Sequence, residues 1–274
     1  MATVTGLTCY PIKGCAGTPL PDADMTRAGL AHDRAFMVID EGGVFRSQRR
    51  DPRLARVRPA IEAGGEGLTL HADGMDPARV EVDLTSARRD VEMFGVRYTG
   101  IDQGDTAAEW LSEMLGRPSR LVRVPPEHDR VTDGLTPGTC GYADSGAVLV
   151  TTVSSLAELN ARIEARGAEP VPMTRFRPNI VIDGWDTTHT EDRVRRFGVG
   201  DAELAYGKLA IRCAVTTVDQ ESGGKAGPEP LRTLADYRRA TRGVAFGAKF
   251  AVLRTGKLSV GDEVIVTAWG ESEL

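Results

Sequence analysis

The stretch AFMVIDEGGVFRSQR, residues 35–49, decides how this chain is read. Residues 35–40 are an apolar run of strand length. Glu41-Gly42-Gly43 is a turn, and residues 44–49 read as the returning arm, so the segment predicts a β-hairpin. The pattern recurs outward from it. Residues 54–62 and 68–71 flank a glycine-rich turn at 63–67 and predict a second hairpin, and residues 80–84 and 91–98 predict two more strands. Short strands at this spacing predict a small barrel or sandwich. A helix follows, with Thr106 as its cap and Ala107, Trp110, Leu111, Met114 and Leu115 on one face. Gly116-Arg117-Pro118 stops it. Residues 125–141, rich in Pro, Gly and Asp, read as a long loop.

The second half predicts a strand at 146–151 and a helix opened by the capping box Ser155–Glu158, with Leu156, Leu159 and Ile163 inward and Gly167 as the stop. Strands are predicted at 180–183, 202–205, 208–218, 250–252 and 264–268. A short helix is predicted over 231–239, with Pro230 at its entry. Val199-Gly200-Asp201 and Val260-Gly261-Asp262 repeat one corner before a strand. The fold class expected is therefore β-rich α+β, divided near residue 120.

The 274 residues hold 34 Lys and Arg against 39 Asp and Glu, a net charge of −5, which argues against a nucleic-acid-binding surface. No apolar run is long enough to span a bilayer as a helix and no secretory signal is visible, so no membrane role is expected. The four cysteines, Cys9, Cys15, Cys140 and Cys213, form no C-x-x-C pair and no iron–sulfur spacing, and a reducing cytoplasm is expected. Neither a G-x-G-x-x-G nor a P-loop occurs. The four histidines show no metal-site spacing, and no G-x-S-x-G elbow supports a serine triad.

Two segments can carry chemistry. In RFRPN, residues 175–179, an extended backbone would put Arg175, Arg177 and Asn179 on one face, and guanidinium forks suit phosphate or carboxylate. A solvated strand edge explains the same pattern, since Pro178 cannot donate to a ladder. In IRCAVTTVD, residues 211–219, Cys213 offers a thiolate, a soft metal ligand and a nucleophile. By residue chemistry alone a small core cysteine is the heavier reading, because free cysteine is commonly buried. Lys13, in the turn after the first strand, can reach an anion or be a surface lysine. Arg34 can enter a pocket or pair with Asp33. Asp144-Ser145-Gly146 can cradle a phosphate or be an ordinary turn.

Taken together, seven segments resemble the MOSC family, the molybdenum-cofactor sulfurase C-terminal domain proteins. They are YPIKGCAG (10–17), HDRAFMVID (32–40), RFRPNIVIDG (175–184), RCAVTTVD (212–219), PLRTLADYR (230–238), FGAKFAV (246–252) and VGDEV (260–264). The resemblance is to the two-part members typified by the mitochondrial amidoxime-reducing component and its bacterial relatives. It covers nearly the whole chain in order. It implies a small N-terminal β-barrel-like domain over 1–120 and a MOSC pseudo-β-barrel domain with peripheral helices over 121–274. It further implies a molybdopterin-type molybdenum cofactor, with Cys213 as metal ligand and catalytic thiol. Lys13, Arg34, Ser145, Arg177, Asn179 and Arg212 fall at its cofactor contacts, with Asp144 beside Ser145. The implied activity is reduction of small N-hydroxylated compounds with electrons from a separate redox protein. A sulfur-transfer enzyme using a Cys213 persulfide and a non-enzymatic cofactor carrier are the alternatives. The chain departs from the family pattern at Gly14, where a serine is usual, and at Gln220, where a proline commonly follows the aspartate.

Overall fold

The computed structural model describes residues 1–62 and 64–274. Its largest element is a sheet whose path runs Val264–Trp269, Val194–Val199, Ala202–Arg212, Gly243–Arg254, Val148–Thr152, Ile180–Asp183, Thr3–Cys9, Thr18–Leu20, and among the described residues it does not close into a barrel. Arg239–Ala240 pairs on the side of Gly243–Arg254. Its core holds Leu7, Val150, Ile180, Phe197, Leu204 and Phe250. A second sheet, Arg88–Met93, Val96–Asp102, Arg120–Arg123, Phe36–Ile39, Ile12–Lys13, and a three-stranded sheet of Arg58–Ile61, Gly67–His71 and Ala78–Glu81 make up most of the N-terminal part. The chain interleaves its two parts. Thr3–Cys9 lies in the large sheet, antiparallel to Ile180–Asp183, and Asp22–Thr26 pairs with Gly256–Ser259.

Helix α1, Asp105–Leu115, covers the N-terminal part with Ala107, Trp110, Leu111 and Leu115, as its apolar spacing predicted. The expected cap is corrected. Thr106 lies inside the first turn, and Gly104 is the cap residue, its N–H bonded to the Asp102 carboxylate at 3.0 Å. Gly116 ends the helix at φ 63°, a left-handed position suited to glycine. Helix α2, Val153–Glu164, starts ahead of the predicted box. Thr152 caps it by accepting from the Ser155 N–H, and Ser155 faces inward to Glu191. Helix α3, Leu231–Tyr237, closes the far side through Leu234. No helix is long and apolar enough to cross a membrane.

Several strand expectations change. Phe36–Ile39 is a strand, and the returning arm pairs with it only briefly: Phe45 bridges Ile39, the Asp40 N–H bonds the Val44 carbonyl and the Arg46 N–H the Val38 carbonyl. The Phe45 N–H bonds outward to the Glu92 carbonyl, and the pairing ends after Arg46. Residues 91–98 are two strands folded at Phe94-Gly95, whose φ values of 56° and 78° make the tight primed turn that matches strand twist. The segments at 202–205 and 208–218 are one strand that stops at Arg212. There the Thr216 and Thr217 hydroxyls donate to the Cys213 and Ala214 carbonyls and wind a 3-10 turn. The loop at 125–141 carries a small hairpin, Val131–Thr132 with Gly138–Thr139. The second hairpin forms between Arg58–Ile61 and Gly67–His71 with a shorter first arm than the 54–62 expected, because Pro52–Arg56 winds a 3-10 turn; residue 63 of its turn lies outside the described residues.

Candidate functional site

An open cleft of about 930 Å³, counting the solvent-open space at its mouth, lies between the two parts. Its floor comes from the end of strand Ala202–Arg212 and the turn after it, where Arg212, Cys213, Val215 and Thr216 line it. The turn before Ile180–Asp183 supplies Phe176, Arg177 and Asn179. The N-terminal part supplies Lys13, Gly14, Arg34 and residues 45–49, with Phe94 at the lip. Among the lining residues Lys13, Arg34, Arg46, Arg49, Arg177, Arg212 and Lys249 are basic and Asp144 is acidic. A low-dielectric concavity with this imbalance raises the local concentration of anions.

The RFRPN segment is not extended. Met173–Arg175 forms a 3-10 turn, and Pro178 disfavours continuing that turn through Arg177. Arg177 turns the corner at φ 57° instead. Arg175 and Arg177 therefore part company. Arg175 points at the turn after Cys213, donating to the Thr216 carbonyl at 3.3 Å, with Asp219 at 3.5 Å. Arg177 enters the cleft, 8% exposed. Its guanidinium lies 4.3 Å from the Tyr10 ring, which carries Arg34 at the same distance. One Arg177 N–H reaches Gln220 at 3.2 Å.

Among the described residues Arg177 and Arg212 have no carboxylate partner. Burial pushes both guanidiniums down, Arg212 to about 10 with Cys213 and Asp144 opposing. Arg212 donates to the Phe176 carbonyl at 2.7 Å and its Nε–H finds no acceptor. A buried, unneutralised guanidinium is costly unless something anionic pairs with it.

Arg34 is different. Asp33 holds it at 2.6 Å, and Asn179 accepts from it at 3.0 Å. Asn179 is fully engaged. Its carbonyl also accepts from the Leu149 N–H, and its amide donates to Asp33 and to Thr8. It therefore sets the cleft wall rather than offering a free group.

Lys13 is buried and donates to the Tyr142 carbonyl at 2.9 Å and to Asp144. Asp144 sits at the mouth, open to solvent. Desolvation opposes its charged form, but Lys13 and then Lys249 outweigh it and hold the carboxyl below its usual range. Ser145 stands between the lining residues Asp144 and Gly146 without lining the cleft itself, and its hydroxyl accepts from Lys249 at 2.6 Å.

Cys213 is half-exposed in the cleft, whereas Cys9, Cys15 and Cys140 are buried. Burial raises those three thiols, Cys15 to about 12. Arg212 and Cys213 were expected on opposite strand faces. Both line the cleft, because the strand ends between them.

The sequence reasoning missed Lys249, Gln48, Gln220 and the aromatic lip. A lone lysine inside the otherwise buried run of residues 245–252 was a signal that could have found Lys249. The Gln48 amide donates to the Gly14 carbonyl at 2.6 Å and exchanges hydrogen bonds with Gln220, at the two positions where the chain departs from its expected pattern. Phe45 and Phe94 stack edge-on at 4.7 Å beneath Lys13.

Known proteins share this arrangement of segments. Residues 1–118 match the model of the MOSC N-terminal beta barrel domain and residues 137–265 that of the MOSC domain. The chain is 33% identical over 287 residues to human mitochondrial amidoxime-reducing component 1, covering 96% of this chain and 82% of that protein. Rat mitochondrial amidoxime reducing component 2 is also 33% identical, with 96% and 83% covered. A rice molybdenum cofactor sulfurase is 30% identical over 87% of this chain and 31% of its own length.

Proposed function

The chain belongs to the MOSC family, with the MOSC N-terminal beta barrel domain ahead of the MOSC domain, and on that premise we propose that it is a molybdenum-cofactor enzyme that reduces small N-hydroxylated compounds with electrons from a separate redox protein in the cytoplasm. One observation carries the reading. Two guanidiniums without carboxylates, buried Arg177 and half-buried Arg212, meet an accessible thiol, Cys213, in one cleft. That donor set fits an anionic cofactor holding a soft metal. No cluster of three or more His, Cys, Asp or Glu side chains among the described residues could hold an ion. Cys213 would therefore serve a metal that brings its other ligands with it.

When bound, the cofactor supplies two-electron chemistry at molybdenum. Arg177 and Arg212 would hold its anionic groups. Arg34, fixed by Asp33 and Asn179, orients the wall beside them, and Lys13 keeps Asp144 ionised at the mouth. The reaction R–NHOH + 2 e⁻ + 2 H⁺ → R–NH₂ + H₂O breaks one N–O bond and consumes two protons, so the cleft must admit both substrate and protons.

The test is protein purified from a molybdenum-replete host. Bound molybdenum, together with reduction of benzamidoxime by a dithionite-reduced dye and none with NADH alone, supports the reading. Sulfane sulfur on Cys213 without metal favours sulfur transfer. Full molybdenum loading without turnover from any donor favours a carrier.

A further inference from the structure

Lys249 is a basic group lining the cleft that the proposed cofactor contacts leave without a task. It comes from the middle of strand Gly243–Arg254, where its neighbours Ala248 and Phe250 are buried. Its stem crosses Gly146 so closely that a Cβ there would lie 2.9 Å from the Lys249 Cβ and 3.0 Å from its Cδ. Glycine at 146 thus makes the channel along which the lysine reaches the cleft. The ammonium ends on the Ser145 hydroxyl at 2.6 Å, a neutral partner, with no carboxylate in ion-pair contact among the described residues. The groups around it are Asp144 from the loop before strand Val148–Thr152, Lys208 and Arg212 from strand Ala202–Arg212, and Lys13 from the N-terminal part. Lys208 is occupied by Asp133, and Asp144 by Lys13.

We propose that Lys249 is the proton donor of this site, its ammonium protonating the oxygen that leaves an N-hydroxylated substrate as water. The inference rests on the function proposed above and adds a residue to it. Two electrons come from the external one-electron redox protein, and the N–O bond breaks. Lys249 gives one proton to the oxygen, solvent gives the second to the nitrogen, and solvent at the open mouth recharges the lysine. Supporting this, burial pushes the Lys249 ammonium down to about 8, with Asp144 opposing and Arg212, Lys208 and Lys13 adding to the fall. A donor near the working pH is the efficient one. A bound anion raises that value, so the loaded enzyme should lose activity only above about pH 8, where the lysine gives up its proton.

Lys249→Met keeps the stem over Gly146 and removes the proton. It should lower kcat by on the order of 10²–10⁴-fold, the usual worth of a positioned acid. KM and molybdenum content should stay at wild-type values, and the alkaline limb of kcat should vanish. Lys249→Arg should likewise keep the cofactor content and lose the limb. A readout independent of turnover is NMR titration of the lysine Nζ in the metal-free protein, where Lys249 should titrate near 8. Wild-type kcat with an unchanged limb in Lys249→Met overturns the proposal while leaving the reductase reading intact. So does loss of molybdenum from that variant, which would make Lys249 a cofactor holder. A wild-type enzyme that is loaded with molybdenum and reduces no N-hydroxylated compound overturns both readings.

Discussion

Arg177→Met should empty the site without harming the fold. In the cofactor-free protein the guanidinium is 8% exposed, lacks a carboxylate, and keeps only Gln220 at 3.2 Å and the Tyr10 ring at 4.3 Å. Removing it forfeits a cation–π interaction of about 0.5–2 kcal/mol and one charged hydrogen bond of about 1.5–3 kcal/mol. It also removes an unneutralised buried charge, whose desolvation costs several kcal/mol, on the order of what is forfeited. The cofactor-free variant should therefore melt within about 4 °C of wild type, or above it, at about 2–4 °C per kcal/mol for a chain of this size. Binding has no such compensation. Taking one partner out of a charge-assisted pair in a desolvated site costs about 2–5 kcal/mol, or roughly 30- to 4,000-fold in affinity. Pterin content, read by fluorescence after oxidative release, should fall accordingly. Arg175→Ala is the control. Its partners are the Thr216 carbonyl and Asp219, so it should cost about 1–3 kcal/mol of stability while the folded protein keeps its pterin. Wild-type pterin content in Arg177→Met with a melting point lowered by more than about 4 °C would refute the reasoning and make Arg177 a structural residue.

Cys213→Ser should abolish molybdenum-dependent turnover and leave the melting point within about 2 °C, because the side chain is half-exposed and stands outside the buried apolar clusters, and a surface-like change of this kind is worth about 0.5 kcal/mol; retained metal and activity would mark it as a packing residue. Glu191 is fully buried, and its carboxyl is raised to about 7 by burial and then by Asp192, above the unfolded value near 4.3. The folded state binds the extra proton between those values, so this group's contribution to stability falls as pH rises from about 4.3 to about 7. Glu191→Gln should accordingly be nearly neutral at pH 4 and gain about 1–3 kcal/mol at pH 8 in denaturant titrations; equal effects at both pH values would be the contrary result. Gln48→Leu removes the strut to Gly14 and Gln220 and should weaken cofactor retention about tenfold through Arg177, measured as the rate of molybdenum loss on dilution, with no change if the strut is idle.

Much of the fold could be read from residues. Ile180–Asp183 stands where its apolar run, bounded by Pro178-Asn179 and Gly184, places it, and Gly116 stops α1 as glycine should. What failed was local competition between equally good patterns. Residues 91–98 carry strand formers throughout, and only Gly95 hints that the run is folded in two. Ser155–Glu158 has the form of a capping box, but Thr152 lies one turn earlier and takes the role. The candidate residues, scattered along the sequence, converge in space: Lys13, Arg34, Asp144, Arg177, Asn179, Arg212 and Cys213 all line one cleft, and Ser145 touches it only through Lys249. Their individual geometry was less legible. Nothing in RFRPN announces that Arg177 turns at positive φ and leaves Arg175 behind, because that choice depends on Pro178 meeting a 3-10 turn and on Tyr10 from the other end of the chain.

The strand Thr3–Cys9 has a consequence for how the molecule comes into being. Its sheet partner includes the segment of Asn179, whose amide donates to the Thr8 carbonyl across 171 residues of chain. A ribosome adding about 5–20 residues per second makes that partner roughly 10–30 s after the strand itself. For all that time the strand has Thr18–Leu20 on one edge, while its other edge waits in the cell with nothing to pair with. The N-terminal part cannot finish folding as it is made, even though most of its own strands are already present. The cleft is closed by the same late event, since Asn179 ties Thr8, Asp33 and Arg34 together in one stroke. A truncated or stalled chain would therefore expose sticky edges and no pocket, a prime target for chaperones and proteases, and only the completed chain could take up a cofactor.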